Sequence, residues 1–203
     1  LGVKYHVRTD FAFDTVALHN FNGGYCGVNK IEGDLYNICY LTKGNNLKYS
    51  GSIKNMENDI LFKNPYIKEL FKSSDFIFDK PLVISEINFN KKKLIEDFLI
   101  MCGDTAGLIT PLCGNGMAMA IHSGKLLAEI IIEKRAHPDL RNEVQNLYSH
   151  YWTQWFSNRL RWGRNLQLLF GNHILSDATI VLAKFFPYLA QKLISKTHGK
   201  SFS

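Results

Sequence analysis

The stretch FLIMCGDTAGLITPLCGNGMAMAIHSGKLLAEIII, residues 98–132, gathers residue types that could do chemistry together. Asp104 is an acceptor-only carboxylate at neutral pH, suited to a row of sugar-like hydroxyls. Gly114 and Gly116 flank Asn115, and two residues without a Cβ let backbone approach a flat ligand. The apolar helix expected to begin there would present unpaired N–H groups and a partial positive charge. Such a terminus suits an acceptor oxygen or a developing anion. Carboxylate, Gly-x-Gly turn and helix dipole describe one end of a ligand that joins a polyhydroxyl chain to a flat ring. The alternative is a strand–loop–helix link whose glycines serve tight packing only.

The elements around this passage must place it. Residues 97–104, DFLIMCGD, form a short continuous apolar run that reads as a buried strand, with Gly103 and Asp104 at its carboxyl end. Ligands of open α/β sheets bind at such strand ends. Residues 105–113 then cross to a helix expected over 115–134. Upstream, 13–21 and 24–31 read as strands joined to 35–41 by a turn at Glu32-Gly33-Asp34. Tyr36, Ile38 and Tyr40 share one face at period two. Residues 43–52 read as loop, 59–74 as helix around Pro65, and 75–89 as extended chain. Two further helices are expected, over 142–170 and 174–194, the second kinked or interrupted by Pro187. The fold class is therefore α/β (α+β). The chain divides into a sheet region (1–96), a strand–loop–helix (97–134) and a helical region (135–203).

Composition narrows the function. The chain of 203 residues can bury a substantial core. No apolar stretch has the length of a membrane span, and the first ten residues carry no secretory pattern. Cys26, Cys39, Cys102 and Cys113 contain no Cys-x-x-Cys pair, and the seven histidines lack ligand spacing, so neither a disulfide frame nor a metal site is expected. Reduced cysteines point to the cytoplasm. Residues 1–134 hold 15 Lys+Arg and 15 Asp+Glu, whereas 135–203 hold 9 and 3, so the whole net charge of +6 lies in the last third. With no nucleic-acid motif beside it, that charge reads as a solvated helical face rather than a nucleic-acid surface.

The run GDTAGLITPLCGNGMAMAIHSGKLLAE, 27 consecutive residues, resembles the second flavin motif of the FAD-dependent monooxygenase and geranylgeranyl-reductase group, proteins similar in fold to para-hydroxybenzoate hydroxylase. The resemblance implies a partial flavoprotein fold: an antiparallel substrate-side sheet, the flavin-ring strand–loop–helix and a helical tail. It implies that Gly103 and Asp104 meet the ribitol chain of FAD, and that Pro111 to Gly116 pass the isoalloxazine ring. Backbone N–H groups of Asn115, Gly116 and Met117 would face the flavin N1–C2=O edge, where a reduced flavin gathers negative charge. Residues 21–41 resemble the substrate-sheet hairpin of the group. Tyr25, Tyr40 and Cys113 are substrate-side candidates, although tyrosines in such a sheet are more commonly buried core residues and a cysteine there is more commonly a small packed side chain. The reductases carry Tyr-x-Trp-x-Phe-Pro in that hairpin. Here Tyr25 is followed by Gly27 and Asn29 with neither Trp nor Pro, a departure from a prenyl-lipid site.

The group also binds the ADP half of FAD through Gly-x-Gly-x-x-Gly after its first strand, and this chain has no such motif. The expectation is the C-terminal portion of a longer FAD-dependent oxidoreductase, separated from its dinucleotide-binding region and inactive alone. The intact protein would act on a hydrophobic or aromatic small molecule, as monooxygenase or reductase, with NAD(P)H reducing the flavin. No general acid or base can be assigned. His122 reads as packed or capping rather than as a base. In YWTQWFSNRLRWGRNLQLLF (151–170), Trp152, Trp155, Phe156, Trp162 and Leu166 recur at helical steps among Arg159, Arg161 and Arg164. This helix covers the core, lies on an anionic membrane surface, or walls a tunnel for an apolar substrate. The competing function is a non-catalytic interaction module whose basic aromatic tail binds a membrane surface or a protein.

Overall fold

The computed structural model describes residues 1–169 and 173–198. The chain is mixed α/β and separates into two compact units, residues 1–87 with 168–181, and residues 88–167 with 182–203.

The first unit is built on an antiparallel sheet. Strands β1 (Gly2–Arg8), β2 (Ala17–Phe21), β3 (Gly24–Lys30) and β4 (Tyr36–Thr42) are joined by the short strands β5 (Asp75–Phe76) and β6 (Leu82–Ile84). The order is β2-β3-β4-β1-β5, with β6 also paired to β1. Hairpin β3–β4 runs in register from Gly24↔Thr42 to Lys30↔Tyr36. The period-two reading holds, since Tyr36, Ile38 and Tyr40 are all buried on one face. Gly33 closes the hairpin at φ 61°, a conformation glycine adopts without steric cost. Residues 13–16, expected to extend β2, lie outside it, as a turn at 13–14 followed by irregular chain.

Residues 43–52 correct another expectation. They hold the helix α1 (Gly44–Ser50) rather than a loop. Gly and Asn are poor helix formers, which hid it. Tertiary bonds supply what propensity lacks: Asn46 Nδ2 donates to Asn22 O at 3.0 Å and to Thr42 Oγ1 at 2.9 Å. Helix α2 (Ile53–Asp59) follows, its N-terminus capped by Ser52, whose hydroxyl accepts from Asn55 N. A 3-10 turn leads to α3 (Pro65–Ser73), with Pro65 at its first position and Asn64 capping Tyr66 and Ile67. Met56, Leu61, Ile67 and Leu70 from this helical layer bury against Val3, Val7, Val28, Ile38 and Tyr40 of the sheet.

In the second unit the expected buried strand over 97–104 is replaced by a two-residue hairpin. Strand β7 (Ile95–Glu96) pairs with β8 (Leu99–Ile100). Asp97 takes φ 53° to make the turn, and Phe98 and Leu99 stay largely exposed. A short apolar run carries no label saying which strands will flank it, and here it pairs on one side only. Helix α4 (Gly116–Lys134) begins where expected. The long helix α5 (Leu140–Leu169) supplies Val144, Tyr148, Trp152, Phe156 and Leu160 to a core shared with Ala106, Ile109, Cys113 and Met119. The core-covering reading of the aromatic tail is thus seen for Trp152 and Phe156, while Trp155 and Trp162 keep about a third of their surface. Phe170, expected at the end of α5, lies outside the described residues. Pro187 divides the last expected helix into α6 (His173–Phe185) and α7 (Pro187–Thr197), taking the first position of the latter.

Candidate functional site

Every loop residue singled out from the sequence belongs to the second unit, and one chain of contacts fixes it. Residue types set the first link. Tyr148, fully buried on α5, donates its hydroxyl to Met101 O at 2.8 Å and lies 3.4 Å from Cys102 Sγ. Burial pushes its ionisation above the ordinary phenol range, so it stays a donor. This holds the end of β8 against α5. Cys102 is extended at φ −124°, and Gly103 then turns at φ 57° to open a 3-10 turn over Gly103–Thr105. Gly103 N donates to Ser123 Oγ at 2.9 Å, and Ser123 donates on to Ala120 O at 3.0 Å. A Cβ on Gly103 would stand 3.2 Å from that of Ala120. The positive φ and the close helix both favour glycine here.

Asp104 follows with an exposed side chain. Its carbonyl accepts from Lys92 Nζ at 2.7 Å, which leaves the carboxylate free to point outward. Gly107 lies under α5, where a Cβ would come within 2.6 Å of Leu160 Cδ1 and 3.0 Å of the Trp152 ring. The packing role expected of Gly107 taken alone is therefore real. Thr110 Oγ1 is 3.4 Å from Gly163 O and 3.3 Å from Cys113 Sγ. Pro111 opens a second 3-10 turn over Pro111–Cys113, and its residue Cys113 is buried in the core.

Gly114 caps that turn at φ 67°, and nothing lies within 4 Å of the place its Cβ would take. Gly114 therefore answers to backbone conformation, Gly107 to packing. Asn115 precedes α4 but makes no side-chain cap bond. Its carboxamide is buried and donates through Nδ2 to Thr197 O at 2.6 Å. The first amides of α4 are thus left without the capping oxygen that Asn usually offers. Met117, in the first turn, is 83% exposed. Loop and helix start therefore combine an outward carboxylate, an unobstructed glycine and an uncapped positive helix end.

His122 sits one turn further along, buried edge-on against Trp155 and Phe156 at 5.2 and 5.0 Å between ring centres. Burial first, then Arg159 and Lys125, lowers its pKa below the ordinary histidine value. A neutral ring packed on two aromatics is what the packing alternative describes.

The two substrate-side tyrosines belong to the first unit. Tyr25 pairs with Leu41 and Cys26 with Tyr40, so Tyr25 and Tyr40 project from opposite faces of the sheet. Tyr25 is buried. Tyr40 points into the helix-covered face, where its hydroxyl donates to Glu57 Oε1 at 2.8 Å. Tyr5 donates to the same oxygen at 2.7 Å. This buried carboxylate escaped the sequence reading. Its signal was Glu57 at the fourth position after Ile53 and the third before Ile60, on the apolar face of α2.

No family model matches the chain. It is 25% identical over 182 residues to conditioned medium factor receptor 1 of Dictyostelium discoideum, across 86% of this chain and 35% of that protein. It is 29% identical over 87 residues to a digeranylgeranylglycerophospholipid reductase of Methanococcus vannielii, across 41% of this chain and 22% of that one. The chain thus spans about a third or less of the curated relatives it matches. In structure it resembles the flavin-dependent brominase Bmp2, with a TM-score of 0.68 at 14% identity over 97% of this chain and 49% of that chain. It also resembles a geranylgeranyl bacteriochlorophyll reductase-like protein from Thermoplasma acidophilum, with a TM-score of 0.54 at 18% identity over 75% and 38%. The resemblance read from the sequence is borne out at the level of fold: the architecture resembles part of the fold of these flavin-dependent proteins.

Proposed function

We propose that the chain is the flavin-ring and substrate portion of an FAD-dependent oxidoreductase acting on a hydrophobic or aromatic small molecule. The observation that carries this is the turn into α4. An outward Asp104, an open Gly114 at positive φ and a helix start whose Asn115 does not cap it stand together in a chain with a flavoenzyme-like fold.

In this reading Gly103 and Asp104 hold ribitol hydroxyls, and Pro111–Gly116 lie along the ring. The amides of Asn115, Gly116 and Met117 face its N1–C2=O edge, where the helix dipole favours negative charge. Bound FAD supplies hydride or electron transfer, with NAD(P)H as donor. The chain's own part is to orient the ring and to keep water from its reacting face. The chain has no Gly-x-Gly-x-x-Gly, so the pyrophosphate is held by a dinucleotide-binding region of the same protein outside this sequence. The chain alone then binds FAD weakly and is inactive. We assign the protein to the cytoplasm, with the basic tail as a peripheral contact to the inner membrane face. Among the described residues no helix is long and apolar enough to cross a membrane.

Absorbance of the full-length protein and FAD titration by fluorescence quenching test this reading. Flavin bands, with an affinity that falls at least tenfold in Asp104→Ala while thermal stability holds, are expected. A colourless protein, indifferent to FAD and to Asp104→Ala, would overturn it.

A second reading is favoured by one comparison. The relative matching most of this chain is named a receptor, which fits a non-catalytic interaction module. Flavin binding without NAD(P)H-dependent turnover of any aromatic or lipid-like substrate would favour it.

A further inference from the structure

The first unit contains a cavity of about 700 Å3 between the sheet and helices α2 and α3, lined by none of the residues assigned to flavin. Its volume lies in the range of small-molecule sites, roughly 300–1,000 Å3. The wall is a connected set of aromatic rings. Phe71 meets Tyr5, Phe62 and Phe76 with centres 5.5, 5.2 and 5.7 Å apart, and Tyr5 meets Phe76 edge-on at 5.1 Å. Glu57 lines the inner end and is 7% exposed.

A buried carboxylate is costly unless donors or a cation compensate it. Here the Tyr5 and Tyr40 hydroxyls both use Oε1. Among the described residues Glu57 forms no ion pair, and no donor to Oε2 is found. The inner end is therefore rich in acceptors and short of a donor. Two phenol hydroxyls already bound there show which kind of group the carboxylate takes. The mouth is different: Lys54, Lys68 and Lys72 are exposed around it, against a single acidic side chain, Asp79.

We infer that this cavity is a binding site for a flat aromatic acid that carries a hydroxyl or ring N–H at the end opposite its acidic group. The donor meets Glu57 Oε2, the rings stack against Phe71 and Phe76, and the anionic end stays among the lysines. The inference does not rest on the flavin reading. An aliphatic cation suits the inner carboxylate but meets a basic mouth. An aromatic acid without a donor makes no bond to Oε2.

The fluorescent probe 6-hydroxy-2-naphthoate, titrated against the whole chain, tests it beside 2-naphthoate and 2-naphthol. The hydroxy acid is expected to bind about tenfold tighter than either partial probe, one hydrogen bond to a charged group being worth about that factor. Glu57→Gln keeps a carbonyl for the two tyrosines and places an N–H donor at the other position. In that variant the hydroxy acid should lose its advantage over 2-naphthoate. In Lys68→Ala/Lys72→Ala it should lose its advantage over 2-naphthol, and in wild type that advantage should shrink with salt. Equal binding of the three probes to wild type would overturn the inference, as would an unchanged ranking in folded Glu57→Gln. Should that variant not fold, the wild-type ranking and the surface lysine variant decide.

Discussion

Glu57 in the first unit and Gly107 in the second meet the same demand in opposite ways. Each lies where a helix packs against its neighbour. The first unit fills that place with a charged side chain and gives one of its oxygens two tyrosine hydroxyls. The second removes the side chain, so that Trp152 and Leu160 rest on bare backbone. The sheet can do this because its ladder already satisfies the backbone, leaving side chains to bind one another. In the loop of residues 101–116 the backbone itself has to be held, by Tyr148 and Ser123, and side chains give way to it.

The strongest way to break the comparison is to put a Cβ where the sheet, not the loop, has no room. In Gly24→Ala the new methyl meets the Leu41 carbonyl and the Phe21 ring, which stands 2.6 Å away. Backbone cannot step aside, so the cost should exceed the usual overpacking range of about 1–3 kcal/mol and unfold the first unit. Amide exchange should show protection lost over β3 and β4. Next comes Phe156→Ala in the second core, expected to cost about 3–5 kcal/mol in urea unfolding. Gly107→Ala should cost about 1–3 kcal/mol, because Leu160 and Trp152 end in side-chain atoms that can shift. Gly114→Ala meets no atoms but strains a positive φ, and should cost about 1 kcal/mol. If Gly107→Ala proves milder than Gly114→Ala, the loop is not held by close packing against α5.

A smaller effect separates the units by sign. Burial raises the Glu57 pKa above the ordinary carboxylate value, outweighing its two hydrogen bonds. Its contribution is present below the usual carboxylate range and is lost as pH rises through the shifted value. His122 is shifted down, so its contribution is present above the ordinary histidine value and is lost as pH falls. Thermal melts should show wild type losing ground to Glu57→Gln as pH rises, and to His122→Phe as pH falls. Parallel trends in both variants would remove the contrast.

The units also differ in how far their sequences revealed them. Tyr36, Ile38 and Tyr40 state a half-buried strand outright, because period two has no helical counterpart. Residues 116–134 state a helix by length and by the small residues at its start. Helix α1 was hidden because Gly44, Asn45 and Asn46 oppose helix, and its support comes from Asn22 in another turn and from Thr42 just before it. Residues 97–102 misled for another reason. Apolarity predicts burial only when partners are present on both sides, and here one short strand pairs with one other. At the loop, the glycines and Asp104 were visible as types, but what divides Gly107 from Gly114 was not. That division depends on Trp152 and Leu160, some 50 residues away. Glu57 went unseen because a glutamate in a polar-looking helix is ordinarily solvated.

The bond from Asn115 to Thr197 spans 82 positions. Contacts of such separation form late, after the chain has paid the entropy of closing the intervening segment. During synthesis, which proceeds at about 5–20 residues per second, the sheet of the first unit has all its strands long before residue 197 emerges. The turn into α4 cannot acquire its Asn115 contact until then. Sheet and loop therefore mature in order: the strands of the first unit wait several seconds for helix α7 to set the loop.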